Sequence, residues 1–130
     1  MLPQIDMEFL EERAPGFTVT SEAGMVCVVI PAMPLPPGFD KPTSDLLLRL
    51  PGGYPDVHPD MWWFEPPVRR IDGATIQATE SHEQHLGRTW QRWSRHLQPG
   101  QWRSGVDCLR TYVALVQKEL RAAAPTAAAA

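Results

Sequence analysis

Residues 46–66, with the sequence LLLRLPGGYPDVHPDMWWFEP, constrain the fold of this chain more than any other segment. An apolar run comes first, an aromatic run comes last, and glycines and prolines separate the two. Because glycine permits tight turns and proline lacks the N–H that a strand ladder uses, the chain should reverse direction between the runs. The segment therefore predicts a strand, a turn built on Tyr54-Pro55 and followed by Pro59, and a second strand.

Length and charge exclude several classes of protein. A chain of 130 residues fits one domain with a single core. With 12 basic and 15 acidic residues its formal charge is -3, so we expect no nucleic-acid partner. No apolar run approaches the roughly 20 residues of a membrane span, and no signal-peptide pattern is present, so we expect a soluble, cytoplasmic protein with no membrane contact.

The cysteine content fits a reducing compartment. Cys27 and Cys108 are too few for a disulfide framework and lack the spacing of a zinc site. Both are read most simply as small buried apolar residues, one in an early strand and one in the C-terminal helix. We therefore expect no metal and no cofactor.

The first half of the chain predicts an α+β arrangement. Residues 6–13 should form a short N-terminal helix that Pro15-Gly16 ends. Apolar or β-branched runs at 17–20 and 25–30 flank a polar turn, which predicts a hairpin. The proline-rich stretch 31–43 should lie at an edge or in a loop, and residues 45–50 and 61–64 supply two more strands. A four-stranded antiparallel meander is the simplest assembly.

The second half is less regular. Residues 68–83 predict a long surface loop, because no period persists there. The next four large apolar residues recur at helical spacing, namely Leu86, Trp90, Trp93 and Leu97. They predict either a short amphipathic helix or an irregular segment that the two tryptophans anchor on the core.

The C-terminal part contains the clearest helix, at residues 106–120, with a cap at Ser104 or Gly105. Its apolar stripe consists of Leu109, Val113, Val116 and Leu120. The alanine-rich residues 122–130 should be a disordered tail, which leaves one domain over residues 1–121.

This order of elements resembles the ubiquitin-conjugating superfamily over residues 3 to 121. Residues 46–66 look like its third strand, Tyr-Pro turn and fourth strand, and Trp102 looks like the tryptophan before its next helix. The run GRTWQRWSRHL is similar to a bacterial branch found in operons with a ubiquitin-like protein, an activating enzyme and a deconjugating peptidase. The resemblance implies those three as partners and, by analogy with related operons, a role in antiviral defence.

The chain departs from the superfamily at the nucleophile. In the eukaryotic members a catalytic cysteine lies eight residues before that tryptophan, a position that is Ser94 in this chain. The superfamily's His-Pro-Asn triplet is also missing, since residues 58–60 (HPD) correspond better to the turn prolines. Ser94 is therefore the candidate nucleophile, although a helix-surface serine is an equal alternative.

A serine nucleophile needs a positioned base, because its hydroxyl is not appreciably ionised near neutral pH. His96 is the first choice, and His82 and His85 are alternatives in a loop that could fold back over the site. Arg95 and loop amides are candidates for stabilising the oxyanion. His96 alone is more often a surface or capping histidine.

Three hypotheses follow from the resemblance. The first is a conjugating enzyme that accepts the C-terminus of a ubiquitin-like protein as an oxyester on Ser94 and passes it to an amine. The second is a catalytically inactive scaffold that binds the ubiquitin-like protein or the activating enzyme. In the third, Ser94 replaces a natural cysteine in an engineered chain, which leaves the position of the site unchanged.

Overall fold

The structure is a computed structural model that describes residues 2–125. Within them, its helices and strands follow one another as α1 (Gln4–Arg13), β1 (Thr18–Glu22), β2 (Met25–Pro34), β3 (Thr43–Leu50), β4 (Trp62–Glu65), β5 (His82–His85), β6 (Arg88–Trp93) and α2 (Leu109–Ala123). The α+β class and the short N-terminal helix predicted from the sequence are confirmed.

All of these strands form one antiparallel sheet in the order β1-β2-β3-β4-β6-β5. The first four are consecutive neighbours, as a meander requires. Strand β6 then pairs with β4, which places Trp93 opposite Trp62, and β5 pairs with β6 at the far edge. The prediction of a four-stranded sheet was therefore wrong in extent, because two further strands continue it.

Both helices pack against one face of the sheet and enclose the main core. Alternate residues of a strand point to the same face, so every second residue of β2 and β3 enters this core. The strands contribute Val28, Ile30, Leu46, Leu48, Leu50 and Phe64. The helices contribute Leu10 and the predicted stripe of α2, namely Leu109, Val113, Val116 and Leu120.

A hairpin, not a helix, contains Leu86, Trp90 and Trp93. Trp93 belongs to the helix-side core, whereas Trp90 is buried on the opposite face of the sheet. Leu86 and Gly87 form the turn, with φ of +56° and +72°, as expected of a tight two-residue hairpin connection. The helical spacing was misleading because the two tryptophans face different layers.

The face opposite the helices buries a smaller apolar cluster. This outer cluster consists of Cys27, Val29, Leu47, Trp63 and Trp90. The Arg88 guanidinium lies 4.4 Å from the ring centroid of Trp90. The same group also pairs with Asp45 and Glu65. Paired charges with apolar stems thus cover the indoles on a face that the helices leave open.

The boundary of one predicted loop shifts. Strand β2 continues through the start of the proline-rich stretch to Pro34, where it still pairs with Thr43 of β3. On its other side, pairing with β1 stops at Val29. Prolines are tolerated after Val29 because β2 has no β1 partner there, so no hydrogen bond to β1 is lost by the missing N–H of a proline.

The boundaries of the last helix also shift. Helix α2 begins at Leu109, and its N-cap is Cys108 in place of the predicted Ser104 or Gly105. Ala122 and Ala123, which were predicted to belong to the tail, complete the helix. Residues 126–130 of that tail lie outside the described part of the chain.

A buried carboxylate joins α1, the Tyr54-Pro55 turn and α2. Asp6 is only 1% exposed. Its Oδ2 accepts a hydrogen bond from the Tyr54 hydroxyl at 2.6 Å, and its Oδ1 accepts one from the Leu109 backbone N–H at 2.9 Å. A carboxylate at a helix N-terminus satisfies a free N–H and complements the helix dipole. This Asp6 node therefore fixes the turn and α2 relative to α1.

Candidate active site

The two landmarks of the sequence, the Tyr54-Pro55 turn and Trp102, are in contact. The Trp102 indole N–H donates to the Pro55 carbonyl at 2.9 Å, and the rings of Tyr54 and Trp102 lie 6.1 Å apart. Trp102 also packs edge-on against Tyr112 of α2 at 6.2 Å. The segment between them, which contains Ser94, is therefore held at both ends.

Ser94 directly follows β6 and is half-buried. Its backbone N–H donates to the carbonyl of Ala78 at 3.0 Å, which ties it to the loop between β4 and β5. Its hydroxyl oxygen accepts a hydrogen bond from Arg92 Nε at 3.0 Å. Ser94 is thus not a helix-surface serine, and its hydroxyl lies next to a cation.

Ser94 lines an open cavity of about 480 Å³ between that loop and the end of α2. Arg70 and Arg95 both line this cavity, and both connect the loop to α2. Arg70 donates to the Ala123 carbonyl at 3.4 Å. Arg95 donates to the Gln77 carbonyl at 2.8 Å and pairs with Glu119 at 3.0 Å. We call it the Ser94 cavity.

Asp72 holds Arg70 in this position. The hydrogen bond from Arg70, helped by the backbone N–H of Ala74, lowers the pKa of Asp72 to about 2. The carboxylate is therefore ionised across the physiological range. Arg70, which lies in the predicted surface loop 68–83, is therefore a fixed wall of the Ser94 cavity.

His96 lies in a different cavity, of about 180 Å³. The two cavities have only Arg95 and Glu119 in common, and this ion pair stands between them. His96 Nδ1 is 2.7 Å from Asp60 Oδ1. Within residues 2–125 no hydrogen bond joins Ser94 to His96, so the structure does not bring the two together, and both roles stay predictions.

The polar contacts of Ser94 lead instead toward β5. Arg92, which donates to Ser94, also pairs with Glu83 at 2.8 Å. Glu83 in turn lies 3.1 Å from His85 Nε2 and accepts the indole N–H of Trp63 at 2.9 Å. Burial opposes ionisation of Glu83, but hydrogen bonds from His85, Trp63 and Arg92 hold its pKa below the usual range. Polar contacts therefore connect Ser94 to His85 through Arg92 and Glu83.

The remaining histidine alternative, His82, lies on β5 near a neighbouring cavity of about 280 Å³. Its Nδ1 is 3.2 Å from the Glu80 carbonyl oxygen. Arg70 and Ile76 line both this cavity and the Ser94 cavity, so His82 is adjacent to the candidate site without touching Ser94.

The cysteines are placed away from the Ser94 cavity. Cys27 is fully buried in the outer cluster, as its apolar reading predicts. Cys108 is half-buried at the N-cap of α2, and its backbone N–H donates to Thr111 Oγ1. The sequence predicted that Cys108 lies inside the helix, and this prediction was wrong, because Cys108 is the residue that precedes its first turn. Among the described residues no group of His, Cys, Asp and Glu is arranged to hold a metal ion.

Sequence reasoning missed Arg92, Glu83 and Glu119 as neighbours of the site. Arg92 and Glu83 meet because β5 and β6 pair with Glu83 opposite Trp90, two residues from Arg92. A strand prediction for β6 would have placed Arg88, Trp90 and Arg92 on one face by alternation. No sequence pattern near Glu119 indicates its role, since it contacts Arg95 only because the fold brings α2 next to the segment after β6.

The chain matches one protein-family model, described as Prokaryotic E2 family E, over residues 2–123. No curated protein and no solved structure matches it significantly. In the described part of the chain, neither helix has the length and apolar character that crossing a bilayer requires.

Proposed function

The chain belongs to prokaryotic E2 family E, and from this membership we propose that it accepts the C-terminus of a ubiquitin-like protein from an activating enzyme. The acceptor is Ser94, and the product is an oxyester that is then passed to an amine. The observation that carries the proposal is the position of Ser94, which lines an open cavity together with two fixed arginines and lies along the chain between the two landmarks of the fold.

The proposed transfer takes two steps. Ser94 Oγ attacks the carbonyl carbon of the thioester on the activating enzyme, the new C–O bond forms, the C–S bond breaks, and the cysteine thiolate of that enzyme is the leaving group. The hydroxyl proton must leave to a base. In the second step an amine nitrogen attacks the same carbon, a C–N bond forms, the C–O bond breaks, and the proton that the amine loses goes through the base to Ser94 Oγ. Charge develops on the carbonyl oxygen in both steps, and the guanidinium of Arg95 is the candidate donor.

His96 remains the proposed base. Asp60, whose Oδ1 lies 2.7 Å from Nδ1, orients the ring and leaves the other nitrogen free to take a proton. For this transfer the Arg95–Glu119 pair must open or a water molecule must bridge the two cavities.

A second candidate, a non-catalytic binding protein, is favoured by one observation. The Ser94 hydroxyl oxygen is engaged by Arg92, a cation that is itself fixed by Glu83. This contact occupies a lone pair that an attacking oxygen uses. A scaffold would keep the fold and the surfaces for its partners and would form no ester.

Adduct formation separates the two candidates. The protein is incubated with ATP, the cognate activating enzyme and the ubiquitin-like protein, and covalent products are separated on denaturing gels. We expect an adduct that resists thiol reductant and is cleaved by hydroxylamine. Ser94→Ala should abolish it, Ser94→Cys should make it sensitive to reductant, and the exposed control Ser21→Ala should leave it unchanged.

Absence of any adduct with the true partners, or an adduct that survives Ser94→Ala, rejects the acceptor role and leaves the scaffold. His96→Ala should slow adduct formation by about 100-fold if His96 is the base. An unchanged rate transfers that role to His82, to His85 or to a partner.

A further inference from the structure

A second recess lies away from the Ser94 cavity, between the last turn of α1, the end of β2 and the first half of α2. Its volume is about 490 Å³, and it shares no lining residue with the Ser94 cavity. We call it the α1–β2–α2 groove. Its floor is formed by buried apolar side chains, namely Phe9, Ile30, Met33 and Val113.

The groove exists because β1 is shorter than β2. Thr18, the first residue of β1, pairs with Val29, so no β1 residue lies beside residues 30–34. The β2 side chains at positions 30–34 therefore have residues of α1 and α2 as neighbours, but no neighbouring strand at this edge of the sheet. The result is a long apolar recess at the surface.

The rim of the groove is cationic. Arg13 of α1 and Arg110 of α2 line it, and none of the described residues that line it is acidic. The Arg110 guanidinium lies 5.1 Å from the Phe9 ring centroid, and within residues 2–125 it forms no ion pair. Among the described residues, Arg13 forms an ion pair only with its exposed neighbour Glu12, at 3.4 Å, which is a weak surface pair. Two positive charges therefore face an apolar floor in a chain whose formal charge is -3.

We propose that the α1–β2–α2 groove binds a segment of a partner protein in which apolar side chains alternate with carboxylates. The apolar side chains cover Phe9 and Met33, and the carboxylates pair with the forked donors of Arg13 and Arg110. Addition of a strand is disfavoured, because Pro31 and Pro34 offer no N–H at this edge. Recognition therefore depends on side chains.

The test uses a fluorescently labelled octapeptide that alternates glutamate with leucine and phenylalanine, and a matched peptide with lysine in place of glutamate. Binding to the full chain is followed by anisotropy. We expect saturable binding of the acidic peptide, about tenfold weaker binding of the lysine peptide, and weakening by added salt.

Variants locate the binding. Arg110→Glu and Arg110→Met should each weaken the acidic peptide by about tenfold or more. Glutamate suits the first turn of a helix, and methionine keeps the apolar stem over Phe9, so both variants should fold. Lys118→Glu, an exposed charge reversal on α2 outside the groove, should leave the Kd within about twofold.

Any of four results overturns the proposal: no saturable binding up to about 1 mM peptide, equal binding of both peptides, equal losses in the Arg110 and Lys118 variants, or a dimer that Arg110→Glu dissolves. The last result assigns the groove to a second copy of this chain. Because no residue is shared with the Ser94 cavity, Ser94→Ala should leave peptide binding intact whatever becomes of the acceptor role.

Discussion

At the scale of single residues, the largest departure from sequence expectations is the Asp6 node. Carboxylates are rarely fully buried unless they are paired, and this one has two donors, the hydroxyl of Tyr54 and the backbone N–H of Leu109. Nothing in the helix DMEFLEER marks Asp6 as different from the acids that follow it. Its partners lie on other elements, so only the fold identifies it.

The node gives a prediction for Tyr54→Phe. The change removes one donor and leaves Asp6 Oδ2 buried without a partner, so the free energy of unfolding should fall by about 1–3 kcal/mol. Urea denaturation with an unchanged m-value measures this loss. Glu11→Gln, an exposed change on the same helix, is the control. A loss no larger than the control's means that the hydrogen bond is not stabilising.

At the scale of elements, the sequence predicted those strands whose apolar runs are bounded by glycine or proline. Strand β5, HEQH, escaped because it is an edge strand with no apolar residue. Strand β6 escaped because both of its faces carry a buried tryptophan, which removes the apolar-polar alternation that a half-buried strand shows. Ser94 could still be chosen as the candidate nucleophile, since its distance from Trp102 along the chain does not depend on secondary structure. Arg92, which donates to Ser94, could not be identified, because strand β6 was not predicted.

The β5–β6 turn gives a prediction for Gly87→Ala. Gly87 has φ +72° and Gly52 does not lie in the left-handed region, yet a Cβ added at either would meet nothing within 4 Å. The two substitutions therefore differ only in the backbone strain that a side chain causes at a positive φ. Gly87→Ala should lower the free energy of unfolding by about 1–2 kcal/mol, and Gly52→Ala should not lower it. Thermal melts of both variants make the comparison, and equal melting temperatures contradict the assigned turn.

At the scale of the whole molecule, the core and the outer cluster together enclose almost every large aromatic side chain. Tyr112 is buried in the main core, and Tyr54 is partly buried against it. Burial raises the pKa of Tyr54, and its hydrogen bond to Asp6 adds to the effect. Burial also raises the pKa of Tyr112, with a further contribution from the charge of Asp60. These are the two tyrosines of the chain, so phenol ionisation reports on the entire fold.

The sign of the pH dependence follows from these raised pKa values. The folded state retains the phenolic protons more tightly than the unfolded chain, so this contribution to stability is complete below about pH 10 and declines above it. Tyrosinate absorbance should appear only as the circular dichroism of the fold is lost. The variant Tyr54→Phe should halve the absorbance change without producing a native-state titration. Ionisation of either tyrosine near pH 10 in an intact fold contradicts this.

The Asp6 node also bears on the order in which the protein can assemble during synthesis. Asp6 leaves the ribosome long before Leu109, because 103 positions separate the two partners of this hydrogen bond. Until α2 has emerged, α1 can dock on the sheet only with an incompletely paired carboxylate in an apolar setting, which is costly. We therefore expect a nascent chain that ends before residue 109 to leave α1 undocked and open to protease, so that closure of the main core waits for α2 to emerge from the ribosome.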